Sequence, residues 1–183
     1  MEPIEIIAQI IGFAGLAMNC LSYQAKTKKK LIVIQLFGAL FFVLHFGLLG
    51  AVMGCMLNTV AVLRSLVFAN AEKTHANHPA WLALFIAIYI GSYVLTFTVF
   101  DKEPTLPNLL LQILPPVGMT FSTISFRTKN AATVRKLCLF CSPMWLIYNI
   151  FNFSISGILT ETISIVSIIT GIIRLDLKKS SKA

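Results

Sequence analysis

Apolar runs long enough to cross a bilayer fill almost the whole of this chain, and short polar loops separate them. Of its 183 residues, 57% are hydrophobic and only 12% are charged, which is about half the charged fraction of a typical soluble domain. A helix needs about 20 apolar residues to span the hydrocarbon core, so little sequence remains for a soluble domain. Because the runs are apolar on all sides, they predict membrane-spanning helices rather than the alternating strands of a barrel.

The runs predict seven spans, and therefore a single all-α integral membrane domain over residues 1–183. A polar stretch at 70–79 separates the third span from the fourth, and a polar tail at 176–183 follows the last span. Prolines inside the fifth and sixth spans predict bends there. The predicted spans are about 4–22, 31–49, 51–68, 80–100, 106–126, 134–151 and 156–175.

Basic residues follow the odd-numbered spans almost without exception. The even-numbered side has only Lys102, which stands between Asp101 and Glu103. The positive-inside rule then predicts a bacterial inner-membrane protein with a periplasmic N-terminus and a cytoplasmic C-terminus. The net charge of +8 is explained by this orientation and by lipid headgroups, so the expected partner is the bilayer and not nucleic acid. The basic residues on the odd-numbered side are Lys26, Lys28, Lys29, Lys30, Arg64, Lys73, Arg127, Lys129, Arg135, Lys136, Lys178, Lys179 and Lys182.

An internal repeat relates the two ends of the chain at an offset of 103 residues, without a gap. It predicts two three-helix units, at 4–70 and 106–175, which a linker helix at 80–100 joins. Each unit and the linker contain an odd number of spans, so the two units should point the same way, as a parallel repeat. The matched pairs are Gln9 with Gln112, Gly15 with Gly118, Ser22 with Ser125, Phe42 with Trp145, His45 with Tyr148, Gly54 with Gly157, and Asn58 with Glu161.

Glu161 is the most informative polar residue of the predicted spans. A buried acid in a membrane span costs several kcal/mol unless it is paired, protonated or hydrated. Arg64 and Arg174 come near the inner ends of their spans, so the expected alternatives are protonation, a hydrated cavity or a contact with His45. His45 itself is more typical of a hydrogen-bonded packing residue than of a proton relay.

Other polar and aromatic residues of the spans admit two interpretations each. Asn58 is either a ligand contact or a hydrogen-bonding clamp between helices. Gln9 and Gln112 either line a cavity or clamp helices. Trp145 and Phe42 either pack in the core or offer a surface on which a ring-bearing ligand stacks.

The sequence contains no recognisable catalytic arrangement. Cys138 and Cys141 have the spacing of a metal or redox motif but no second ligand pair nearby, which favours a structural role. His75 and His78 supply only two ligands, too few for zinc. There is no phosphate-binding glycine loop, no nucleophile with a base, and no pair of carboxylates. We therefore expect neither an enzyme nor a metal or other cofactor.

The segment Trp145-Leu-Ile-Tyr148, together with Glu161, resembles the second and third helices of the SWEET and SemiSWEET transporters of the PQ-loop superfamily. In that family a Trp on the second helix and an Asn on the third contact the substrate. The resemblance implies a 3+1+3 arrangement of two parallel three-helix bundles around a central cavity. The Pro-Gln pair that gives the PQ-loop proteins their name is absent here, and Asn149 stands where SemiSWEETs usually have Gly. The predicted substrate-binding residues are Phe42, His45, Asn58, Trp145, Tyr148, Asn149 and Glu161.

A closer resemblance, over nearly the whole chain, is to the YgjV family of bacterial inner-membrane proteins. It implies a fold and a location but no reaction. The expected function is that of a solute transporter or facilitator for a small hydrophilic substrate, sugar-like or ring-bearing. The alternative is a receptor or scaffold subunit that does not transport, and a homo-oligomer is compatible with either. The resemblance rests on Val43 to Gly50, on Leu57-Asn58 with Arg64, and on Ile172-Ile173-Arg174.

Overall fold

The computed structural model describes residues 2–22, 28–128 and 131–173. Within these ranges the protein is entirely helical, with seven long helices and one short helix, and no strand. The all-α prediction is confirmed. The helices are α1 (Pro3–Ser22), α2 (Lys28–Leu48), α3 (Val52–Ala69), α4 (Ala71–Thr74), α5 (Pro79–Thr98), α6 (Leu106–Arg127), α7 (Ala131–Phe151) and α8 (Ile155–Gly171).

Four of these helices, α1, α3, α5 and α6, are long and apolar enough to cross a membrane. Helices α2 and α8 contain shorter apolar segments, Ile32–Leu48 and Ile155–Thr170. Three lysines occupy the first turn of α2 and shorten its apolar part. The chain therefore has several candidate spans, as a multi-pass membrane protein requires.

The predicted spans match the long helices to within three residues at every described boundary. The predicted end at 175 lies outside the described residues. Helix α6 runs on through Pro115 and Pro116, and α7 through Pro143, while the bends expected there stay predictions. The stretch 70–79 was predicted as a loop, but it contains α4 before α5 begins at Pro79. Pro suits this first helical position, because its missing N–H would have no partner there.

Six of the long helices form a closed ring. Helices α1, α2 and α3 pack in sequence, as do α6, α7 and α8. Contacts of α1 with α8 and of α3 with α6 join the two sets. Helix α5 lies outside this ring against α3 and α6. The ring thus leaves a central space that both repeats enclose.

The two repeats begin their helices at positions that differ by the same offset of 103 residues. Helices α1, α2 and α3 begin at residues 3, 28 and 52, and α6, α7 and α8 at 106, 131 and 155. The turns that precede α3 and α8 also correspond. Gly50 and Phe153 both have positive φ, of 66° and 51°. The N–H of Ala51 donates to the carbonyl of Phe46 at 2.9 Å, and that of Ser154 donates to Asn149 at 3.0 Å.

Close packing is repeated in the same way. A Cβ added to Gly15 would lie 3.0 Å from the ring of Phe42, and one added to Gly118 would lie 3.2 Å from the ring of Trp145. Small residues allow helices in lipid to approach closely, and this packing replaces much of the hydrophobic driving force that acts in water. Each repeat therefore places an aromatic side chain of its second helix against a glycine of its first.

Gly54 provides a test of this packing. A Cβ at Gly54 would lie 2.7 Å from Cγ of Phe46, whereas a Cβ at Gly91 of α5 meets nothing within 4 Å. We expect Gly54→Ala to lower the free energy of unfolding by about 1–3 kcal/mol through overpacking. Gly91→Ala, the matched control, should be neutral or raise it by about 0.5–1 kcal/mol through helix propensity. Thermal unfolding of the purified chain in detergent measures both, and equal midpoints for the two variants would contradict the expectation.

Candidate functional site

A cavity of about 780 Å³ lies inside the ring, and all six ring helices contribute to its lining. This volume falls within the range of cavities that bind small molecules. At one end it is bounded by Phe46 and Trp145, close to the C-terminal ends of α2 and α7. At the other end it reaches Thr128 and Arg135, which flank the connection between α6 and α7. The cavity therefore extends to the basic end of the helix ring.

Aromatic side chains from both repeats meet at the first of these ends. The ring centroids of Phe42 and Phe46 on α2 lie 5.8 Å apart, and Phe46 lies 6.1 Å from Trp145 on α7. Tyr148 packs edge-on against Trp145 at 5.8 Å. These separations are typical of favourable aromatic pairs. The cluster gives the cavity an apolar end.

His45 lies beyond this cluster and is completely buried. Its Nδ1 is 2.7 Å from the carbonyl oxygen of Ala8, and its Nε2 is 2.7 Å from the hydroxyl of Ser154. A carbonyl only accepts, so Nδ1 donates, and in the neutral ring Nε2 accepts from the serine. His45 thus contacts α1 and the N-cap of α8 rather than Glu161, so the contact proposed from the sequence is wrong.

Gln9 makes a second set of bonds between the repeats. Its Nε2 donates to the carbonyl of Phe153 at 2.9 Å, and its Oε1 accepts from the N–H of Ser156 at 3.3 Å. The hydroxyl of Tyr148 accepts from the N–H of Gly54 at 2.9 Å. We call Gln9, His45, Tyr148, Ser154 and Ser156 the closing network, because their bonds join the two repeats beyond the apolar end of the cavity. Gln9 is therefore a clamp between helices.

Five of the seven predicted substrate-binding residues line the cavity, whereas His45 and Tyr148 belong to the closing network. The repeat pairs Phe42 with Trp145 and Asn58 with Glu161 both face the same space. Asn58 also donates from Nδ2 to the carbonyl of Gly54 at 2.9 Å, so it combines cavity lining with a local hydrogen bond. The five lining residues are Phe42, Asn58, Trp145, Asn149 and Glu161.

Glu161 lies on α8, half-buried, and lines the cavity. Its carboxyl group has the hydroxyl of Ser142 on α7 as a hydrogen-bond partner. A carboxyl in this position needs either water in the cavity or a ligand, because one neutral hydroxyl satisfies only part of its hydrogen-bonding capacity. The structure thus places Glu161 on the cavity wall, and both protonation and hydration of its carboxyl group stay predictions.

Arg64 is a cavity residue that the sequence analysis placed only near the inner end of its span. Only 6% of it is exposed, and it lines the same cavity as Glu161. Its Nη1 donates to the hydroxyl of Thr123 at 3.2 Å and to the carbonyl of Met119 at 3.4 Å. Its guanidinium carbon lies 4.6 Å from the ring centroid of Phe126. Residues six apart point about 120° away from each other around a helix, so the spacing from Asn58 did not predict that Arg64 lines the cavity.

The cysteines and histidines singled out in the sequence lie in different surroundings. Cys138 and Cys141 line the cavity, and the thiol of Cys138 is a hydrogen-bond partner of Ser125. His75 and His78 are exposed, and Nδ1 of His78 accepts from the N–H of Ala80 at the start of α5. Within the described part of the chain, no three His, Cys, Asp or Glu side chains form a group that would hold a metal ion.

Searches of curated proteins and of solved structures find no significant match to this chain. A family model described as "Imp-YgjV: Bacterial inner membrane protein" matches residues 6–179. This match covers nearly the whole chain, and it agrees with the presence of several helices that are able to cross a bilayer. The chain therefore belongs to the YgjV family and is a multi-pass protein of the bacterial inner membrane.

Proposed function

We propose that this protein is a solute transporter or facilitator of the inner membrane, with its substrate in the central cavity. The observation that supports the proposal is the position of the cavity. It lies between two repeats whose helices are arranged in the same order. One end of the cavity adjoins the closing network, and the other reaches the C-terminal end of α6 and the N-terminal end of α7. Transporters built from internal repeats hold their substrates between the repeats in this way.

Alternating access would follow from movement of one repeat against the other. The closing network consists of a few hydrogen bonds between repeats, and each such bond is worth about 0.5–1.5 kcal/mol net. A free-energy difference of this size can be offset by ligand binding or by new bonds at the opposite end. The aromatic surfaces of Phe42 and Trp145 support a ring-bearing or sugar-like solute.

The proposal includes a seven-span arrangement of the type 3+1+3. In it the seven long helices cross the membrane, α5 is the linker, and α4 lies outside the bilayer. The basic residues near the ends of α3 and α6 then face the cytoplasm, as does the open end of the cavity. The partners that this arrangement requires are the bilayer and a small solute, whereas nucleic acid has no role in it.

The orientation leads to a topology prediction. We expect reporter fusions after Phe68 and at the C-terminus to give cytoplasmic activity, and a fusion near Lys102 to give periplasmic activity, because of the asymmetry of basic residues. Alkaline phosphatase and a fluorescent protein serve as complementary reporters, so each site has an internal control. Two of the three sites on the opposite side would overturn the seven-span arrangement.

A second prediction concerns Glu161, the acidic residue in the described lining of the cavity. Glu161→Gln keeps the shape and an oxygen for the Ser142 hydroxyl but removes the carboxylate. We expect the variant to fold and its solute uptake to fall about tenfold or more, as when a charged hydrogen-bond partner is lost. Proteoliposome uptake of each solute that stabilises the purified protein against heat is the measurement.

The matched control for this experiment is Glu103→Gln, which removes an exposed acid between α5 and α6. Its uptake should equal that of the wild type. Unchanged uptake in Glu161→Gln would leave Glu161 as a structural acceptor for Ser142. Solutes that bind the wild-type protein but never enter the vesicles would favour a receptor over a transporter.

A further inference from the structure

A base and an acid, Arg64 and Glu161, line one cavity without forming an ion pair with each other. Among the described residues, the partners of the Arg64 guanidinium are neutral: Met119, Thr123 and the ring of Phe126. The partner of Glu161 is the hydroxyl of Ser142. Both residues line the same cavity as Cys138 and Cys141.

The guanidinium of Arg64 has capacity left for an anionic ligand. Its Nε is buried and has no hydrogen-bond partner, whereas Nη1 is used by α6. A buried charge without a counter-charge is costly, and a guanidinium binds carboxylates through two parallel N–H donors. Arg135 also lines the cavity, but it lies closer than Arg64 to the connection between α6 and α7 and already interacts with another group. Among the described residues that line the cavity, Arg64 is thus the cation with a buried donor that has no partner.

Acceptors for a cationic group lie on the α7 and α8 side of the same cavity. Glu161 contributes a carboxylate, and Asn149 contributes an Oδ1 that is buried and has no hydrogen-bond partner. An ammonium group carries three donors and no acceptor, so it matches such a set. A neutral polyol would leave both Arg64 and Glu161 without a counter-charge, and a simple anion would leave Glu161 without one.

We infer that the cavity binds a small zwitterionic solute of the amino-acid type, with its carboxylate on Arg64 and its protonated amine on Glu161. This inference rests on the proposed function, since it names the substrate class of the same cavity. The apolar end formed by Phe42, Phe46 and Trp145 would receive the side chain of the solute. The volume of about 780 Å³ exceeds what a small solute requires and leaves space for water around it.

The first experiment compares matched ligand pools on the purified full chain by thermal shift. The zwitterion pool contains the free standard amino acids, the anion pool their N-acetyl derivatives, the cation pool their methyl esters, and the neutral pool mono- and disaccharides. We expect the zwitterion pool to stabilise the protein most. Loss of one charged partner should weaken the apparent affinity roughly 10- to 100-fold, so the anion and cation pools should respond only at much higher concentration.

Variants then assign each charge to its end of the solute. Glu161→Gln should weaken binding of the zwitterion pool and leave the anion pool unchanged. Arg64→Gln should weaken the zwitterion pool and leave the cation pool unchanged. Because Arg64 is buried, Arg64→Lys provides a second variant that keeps the charge but removes the paired donors, and it should weaken the zwitterion pool less than Arg64→Gln does. Lys102→Gln and Glu103→Gln, both exposed charges, are the matched controls and should bind as the wild type does.

The outcomes separate this inference from the proposed function. Neutral sugars that stabilise the protein as much as zwitterions, and that enter proteoliposomes, would overturn the inference and leave the transporter proposal in place. Stabilisation by the anion or cation pool that equals that of the zwitterions, or no response to zwitterions, would also overturn it. Zwitterions that bind with the expected variant pattern but do not enter proteoliposomes would support the ligand class and contradict transport.

Discussion

The absence of water from the bilayer core is the constraint on which the rest of this structure depends. Every polar group inside a span must find its partner within the protein or in a hydrated cavity. The closing network meets the first requirement, since Gln9 uses both ends of its amide and His45 uses both ring nitrogens. These bonds join the repeats at one end of the ring. Of the three buried side-chain atoms without a partner in the described part of the chain, two, Arg64 Nε and Asn149 Oδ1, belong to residues that line the cavity.

Close packing explains why the two repeats have the same helical plan although their sequences differ at most positions. Glycine stands opposite an aromatic ring in both, at Gly15 with Phe42 and at Gly118 with Trp145. Ser22 and Ser125 each donate to the carbonyl three residues before, at 2.6 and 2.7 Å. Helices in lipid associate through such close packing, whereas the two serine bonds are local to α1 and α6. Some of the residues that are identical at offset 103, such as Gly15 and Gly118, therefore lie where helices touch.

The sequence was sufficient to predict where the long helices begin and end to within a few residues, because apolar length is a local signal. The sequence was not sufficient to predict the hydrogen bonds between helices. The partner of His45 is the backbone of Ala8 and a serine at the turn before α8, and no periodic pattern specifies such a contact. Arg64 was not assigned to the cavity from the sequence, because the depth of a residue along a span does not tell which way its long side chain turns. The cavity face of α3 becomes clear only when α6 supplies Met119 and Thr123 as acceptors.

The cavity wall differs between the repeats where the packing positions agree, and this asymmetry has a consequence for the ligand. Arg64 corresponds to Ser167 in the second repeat, and Glu161 corresponds to Asn58 in the first, and all four line the cavity. At the equivalent position of the other repeat, Arg64 and Glu161 each have a neutral residue instead of a second ionisable one. In the proposed parallel arrangement equivalent residues would lie at equal depth, and Arg64 and Glu161 would then differ in depth by six residues, or about 9 Å along a helix. In this arrangement the two oppositely charged ends of the proposed zwitterion would lie at different depths in the cavity. A symmetric or uniformly neutral solute would match neither the difference in depth nor the difference in charge.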